Sequence, residues 1–252
     1  MNIDKYGVGT IHKTNEGYEI EIIENTSYRT RRIKFLDKYN YEREADVSNI
    51  SRGSIKNPYH RSVYGVGYCG VGEHSVRING IKTKEYNCWR SMLERCYDKK
   101  CQEKHTSYVR TTVCEEWFNF QNFAQFYNNN HPEIENKKIH LDKDLLQQEI
   151  ENKVYSPETC IFLPSNVNSF LANNKSDNIS GRVGVSWHKN SKKWMSQIAC
   201  FGDGKSSYLG IFTDIQEASL TYQKARAEQA EKAKQYLRDL NYLPEHIIQL
   251  VR

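Results

Sequence analysis

The chain has 252 residues with 36 Lys and Arg against 31 Asp and Glu, a net charge of +5 that suits a polyanionic partner without requiring one. That length exceeds one typical domain, so two or three small ones are expected. No apolar run approaches the roughly 18 residues of a membrane span, and Met1-Asn2-Ile3-Asp4-Lys5 lacks the apolar core of a secretory signal, so a cytoplasmic protein without a membrane partner is expected.

Residues 1–62 are expected to form a small β-rich module. Tyr18–Ile23 nearly alternates, Arg31–Leu36 is a second candidate strand and Ala45–Ile50 a third, closed by a turn at Ser51-Arg52-Gly53-Ser54. The basic side chains Arg29, Arg31, Arg32 and Lys34 either touch phosphate or form a solvated strand face. A Gly-rich stretch, Gly65-Val66-Gly67-Tyr68-Cys69-Gly70-Val71-Gly72, has no following Lys-Ser or Lys-Thr and is taken as a linker. Tyr86, Trp89, Met92, Leu93 and Cys96 are spaced as one face of a helix over 83–98, and Trp117, Phe118, Phe120, Phe123, Ala124, Phe126 and Tyr127 predict a second helix with an aromatic core face. Seven cysteines without a Cys-x-x-Cys pair argue against a disulfide framework and against a zinc ribbon.

The densest chemistry lies between His140 and Asn168. If residues 139–145 are extended, His140, Asp142 and Asp144 share one face, with Leu141, Lys143 and Leu145 on the other. Cys160–Leu163 would be the return strand, and Pro164-Ser165 opens a helix carrying Asn168. A carboxylate and an asparagine carbonyl are oxygen donors of the kind Mg²⁺ prefers, and a nearby neutral histidine can take a proton from an attacking water. The same residues have plainer uses: Asp142 or Asp144 can cap a turn or pair with Lys143 or Lys153, His140 can be a strand residue, and Asn168 can simply sit on a helix.

Polar residues 172–178 have the composition of a linker. Beyond them Val183–Trp187, Lys193–Ala199 and Ser207–Phe212 predict three strands, with turns at Lys189-Asn190-Ser191 and Gly202-Asp203-Gly204. Thr213 or Asp214 caps a helix reaching about Leu240, with Ala218, Ala225 and Ala230 among its packing positions, and Pro244 precedes a short terminal helix. The expected fold class is α+β: a small N-terminal β module, a central domain over 63–172, and a C-terminal three-stranded sheet plus helix over 179–252.

Trp89 through Cys96, Val113-Cys114-Glu115-Glu116-Trp117, Leu141-Asp142-Lys143-Asp144, Tyr155-Ser156-Pro157-Glu158-Thr159-Cys160 and Asn168 together resemble the HNH, or ββα-metal, endonucleases of phages, including homing enzymes. The resemblance implies a phage-encoded hydrolase of double-stranded DNA using one Mg²⁺ or Mn²⁺, with Asp142 and Asn168 as metal ligands. Lys143 stands where that family has its general-base histidine, and Thr159 where an asparagine braces the loop. His140 is the substitute base on a regular strand. A DNA-binding protein with a retired site, regulatory or anti-defence, is the alternative.

The segment from Gly181 to Ala218 is similar to the DNA-binding domain of ethylene-response factors (AP2/ERF type), which also occurs in phage homing nucleases. That resemblance implies a sheet lying in the major groove, with Arg182, Trp187, Lys189, Lys193, Trp194, Ser196 and Lys205 as DNA-contacting candidates. Alternation forbids Trp194 and Gln197 from sharing a face, and the family pattern favours Trp194 and Ser196.

Overall fold

The computed structural model describes residues 4–172, 179–202 and 204–252. It is α+β and divides into two compact units, Met1–Asn128 and Asn129–Arg252. The linker expected at 172–178 lies, from Asn173 to Asn178, outside the described residues, as does Asp203 of the second C-terminal turn.

The first unit opens with a four-stranded antiparallel sheet in chain order, β1 (Ile11–Lys13), β2 (Glu19–Asn25), β3 (Thr30–Phe35) and β4 (Glu42–Asp46). Ile20, Ile22, Ile33, Phe35 and Ala45 alternate into one core with Ile50 and Ile55. The third expected strand is only half a strand. Beyond Asp46 the chain enters α1 (Val47–Ser51), which turns Ile50 onto the sheet. The basic strand face is also partly spent on structure: the Arg31 guanidinium is buried and donates to the carbonyls of Tyr6, Ser27 and Thr30, while Arg32 pairs with Glu24 and Glu42.

The Gly-rich stretch packs rather than links. Gly67 is buried where a Cβ would strike Leu93 and Trp89, so glycine there is a consequence of close approach. A hairpin, β5 (Arg77–Ile78) and β6 (Ile81–Lys82), leads into α2 (Lys84–Tyr97), whose N-cap Thr83 accepts from the Tyr86 amide. The short α3 (Lys99–Lys104) and strand β7 (Thr112–Val113) follow. The aromatic run expected as one helix breaks at Asn119 into a 3₁₀ turn over Glu115–Phe118 and α4 (Phe120–Asn130). Trp89 donates through Nε1 to the Trp117 carbonyl at 2.7 Å, joining the two aromatic faces in a core with Phe120 and Phe123.

In the second unit β8 (Ile139–Asp142) pairs antiparallel with β10 (Ile161–Pro164), with β9 (Val154–Tyr155) in the intervening loop, and α5 (Ser165–Leu171) packs back on both strands of the pair. The C-terminal sheet is β11 (Val185–His188), β12 (Lys193–Ala199) and β13 (Ser206–Phe212), in that order and antiparallel. Asp214 caps α6 (Ile215–Leu240), which ends at Asn241 in the left-handed region, and α7 (Glu245–Ile248) follows Pro244.

Helix α6 is longer than its sheet requires. Its 26 residues span about 39 Å. The first part lies across the three strands, with Ala218 and Ser219 buried. Farther along, Ala230, Ala233 and Leu237 form one core with Leu145, Leu163, Val167 and Phe170 of the strand–strand–helix motif, closed by Ile248 and Val251. The strand–strand–helix motif of the expected central domain and the expected C-terminal module therefore share a hydrophobic core.

Gly184 fixes how closely the sheet meets this helix. Its φ is +72°, and a Cβ there would overlap the Tyr222 ring. Gly184→Ala should lower stability by about 2–4 kcal/mol in urea unfolding, from backbone strain plus overlap. Adding Tyr222→Ala should recover the part due to overlap.

Candidate nuclease site and candidate DNA face

Strand β8 stops at Asp142 because the Asp142 side chain bends the chain there. Its Oδ2 accepts from the Asp144 amide at 2.9 Å and the Leu145 amide at 2.7 Å, an Asx-type turn leading into the 3₁₀ helix Leu145–Gln147. Three residues on one face is thus corrected to two. His140 and Asp142 share a strand face, whereas Asp144 sits past the strand in helical backbone conformation.

Asp142 is buried at 5 % exposure, and burial pushes its carboxyl pKa upward against the two backbone bonds that favour the anion. Both bonds fall on Oδ2, so Oδ1 is the oxygen left to serve a cation. Asp144 behaves oppositely. Burial raises its pKa, but the ammonium groups of Lys153 and Lys143 more than offset that, and the carboxyl lies below its ordinary range.

Lys143, in the position where the resemblance puts a base, is buried with Nζ 2.9 Å and 3.0 Å from the two Asp144 oxygens and 5.9 Å from the centre of the Tyr155 ring. An ammonium held this way has no lone pair with which to take a proton. His140 is half-buried on β8 opposite Leu163, with its Nε2 enclosed. Asn168 is half-buried in the middle of α5. Among the described residues no three His, Cys, Asp or Glu side chains gather as a metal-holding group. A carboxylate and an amide with water completing the shell is a smaller donor set, and its hard oxygens fit Mg²⁺ or Mn²⁺.

One structural residue, Gln147, went unassigned in the sequence. The Gln147 amide nitrogen donates to the Lys143 and Val154 carbonyls while its oxygen accepts from the Val154 amide, tying the turn after β8 to β9. Thr159, where the resemblance places a bracing asparagine, makes two hydrogen bonds within the loop. Its hydroxyl donates to the Val154 carbonyl at 2.6 Å and accepts from the Ser156 amide at 3.0 Å.

In the C-terminal sheet the register pairs Val185 with Ser196 and Trp187 with Trp194, so these four share a face. On it Val185, Ser196 and Ile198 are buried, and Ser196 Oγ has no hydrogen-bond partner among the described residues. Ser196 is thereby corrected from a DNA-facing to an inward-facing residue. Trp187 and Trp194 meet edge to face at 4.9 Å on the same side, Trp187 at 42 % exposure. Arg182 reaches Ser219 on α6.

The opposite, open face carries His188, Lys193, Met195, Gln197 and Tyr208, since a bulge at Ser196/Gln197 sets Tyr208 opposite Gln197. Of the candidates from sequence, Lys193 is on this face and Lys189 and Lys205 are exposed in the adjoining turns. Gln197, set aside in the sequence for Trp194 and Ser196, lies on this open face with Tyr208, which was not a candidate, because alternation defines two faces but not which of them the helix covers.

Comparison of the chain with protein-family models, characterised proteins and solved structures gives no match. Among the described residues no helix is long and apolar enough to cross a membrane.

Thr159→Val removes the hydroxyl that joins Val154 to Ser156, so the Ser156 amide loses its acceptor in a partly buried loop while the Val154 carbonyl keeps its bond from Gln147. A loss of about 1–3 kcal/mol in denaturant unfolding is expected.

Proposed function

We propose that the protein is a metal-dependent HNH-like endonuclease that hydrolyses phosphodiester bonds in double-stranded DNA. The observation that carries the reading is the strand–loop–strand–helix motif with a buried Asp142 on β8, its Oδ1 free of the turn bonds, and Asn168 on the helix packed against that strand. Asp142 Oδ1 and the Asn168 carbonyl would hold Mg²⁺ or Mn²⁺. The bound cation would stabilise charge developing on the scissile phosphate and leaving oxygen. His140, on the Asp142 face, would take the proton of the attacking water, and Lys143 with Asp144 keeps the turn in shape. The open face of the C-terminal sheet would lie on the duplex, with Lys193, Lys189 and Lys205 near phosphates and Gln197 and Tyr208 toward base edges. Because α6 belongs to both cores, the distance from reading face to cutting site would be built into the fold.

A second reading, a DNA-binding protein without cleavage, is favoured by the occupation of the base position by the ion-paired Lys143.

Plasmid nicking with Mg²⁺ or Mn²⁺ separates the two. Asp142→Asn keeps an oxygen for both amide donors and removes a buried charge, so cleavage should be lost while the melting temperature is no lower than wild type. His140→Ala should slow cleavage by about 10²–10⁴-fold. Metal-dependent cutting that survives both substitutions would remove this site assignment, and binding without cutting by the wild type would select the second reading. In the same preparations, Gln197→Ala with Tyr208→Ala should weaken DNA binding in a gel-shift titration, whereas Ser196→Ala should not. The reverse ranking would return the contact to the other face.

A further inference from the structure

The hairpin β5–β6 ends in a two-residue turn at Asn79-Gly80, both residues at positive φ (50° and 78°), the geometry of a tight type I′ connection. Directly behind the tip, Ile78 and Ile81 stand opposite one another, exposed at 61 % and 74 %. A pair of large aliphatic side chains held in water at the end of a projection is costly unless something covers it.

The mount is stiff. The Arg77 guanidinium donates to the Gly80 carbonyl at 2.7 Å, and the Thr83 amide and hydroxyl donate to the carbonyls of Val76 and Ser75. Thr83 is also the N-cap of α2, which is anchored by the buried Trp89, Met92 and Leu93. The tip cannot fold down without breaking that cap.

Charge says what covers the tip. From Ser75 to Lys84 the chain carries Arg77, Lys82 and Lys84 and no acidic residue. Glu73 and Glu85 stand just outside the hairpin, so the positive excess is local to the hairpin itself, and an apolar pair on a cationic hairpin is complementary to a polyanion with an apolar interior. Stacked bases between two phosphate strands have that composition, and isoleucine is among the side chains that part base steps from the minor groove.

We propose that the β5–β6 hairpin is a DNA wedge: Ile78 and Ile81 enter the minor groove and unstack a base step, while Arg77, Lys82 and Lys84 lie along the flanking phosphates. The proposal rests on the DNA-binding reading above and adds a second contact, in the other unit from the sheet. The wedge would kink the duplex by about 20–90° and would act most readily at flexible pyrimidine–purine steps.

The test uses the full chain and short duplexes carrying 2-aminopurine at TpA steps, with a donor–acceptor pair at the ends. Wild-type protein should raise 2-aminopurine fluorescence and shorten the end-to-end distance. Ile78→Ser with Ile81→Ser changes only exposed side chains, so circular dichroism and melting should match wild type. That variant should lose both signals while its affinity falls by about ten-fold or less, since phosphate contacts dominate binding. Arg77→Ala with Lys82→Ala should lower affinity and flatten the salt dependence by about two counter-ions. Wild-type binding without unstacking, or a serine variant that bends DNA as wild type does, overturns the wedge and leaves DNA binding standing. No binding by wild type at low salt overturns both. A dimer in sedimentation that the serine variant dissociates, with bending unchanged, assigns the patch to self-association instead.

Discussion

Small residues along α6 let two different structures approach one rod. Ala218 and Ser219 are buried where the helix crosses the three-stranded sheet, and Ala230 and Ala233 are buried where it meets the strand–strand–helix motif. Between them the Arg226 guanidinium sits over Phe170, 3.5 Å from the ring centre, and donates to the Phe170 carbonyl, while burial lowers its pKa. A larger side chain at any of these alanines would push one partner away. Because both partners are packed on the same helix, motion of the sheet relative to the hairpin requires disrupting a core rather than flexing a connector.

The hairpin that carries the candidate site buries Leu141, Leu145, Phe162 and Leu163, and hydrogen bonds fix its loops. Asp142 turns the chain, Gln147 ties that turn to β9, and Thr159 closes the second loop. Asp142 carries a cost, a carboxylate taken almost out of water with the adjacent Lys143 paired to Asp144. A group kept ionisable under such burial is destabilising to the fold, and a cation at Oδ1 would offset that cost.

The C-terminal sheet places its chemistry by the same separation of faces. Val185, Ser196 and Ile198 are consumed by packing on α6, which leaves Lys193, Gln197 and Tyr208 on the side open to solvent. A bulge after Ser196 admits Leu209 as an extra residue and keeps Tyr208 level with Gln197. Without it the tyrosine would turn inward.

What the sequence determined by itself was everything set by short-range periodicity and capping. The helix over 83–98, the three C-terminal strands, a cap at Thr213 or Asp214 and the hairpin returning through Cys160–Leu163 were all legible, because side-chain alternation and N-caps are properties of neighbouring residues. The pairing of a histidine with a carboxylate on β8 was legible for the same reason. The folded structure decided which of the open local uses each residue took and which face is covered. Asp144 left the site because Asp142 captured two backbone amides, Lys143 became half of an ion pair, and Ser196 turned inward because α6 lies on its side of the sheet. The Asp142 turn and the Lys143–Asp144 pair are contacts between residues one to three apart, which the sequence left open among several uses, whereas the burial of Ser196 depends on a distant element, and a period of two residues carries no information about which of its two faces a distant helix will occupy.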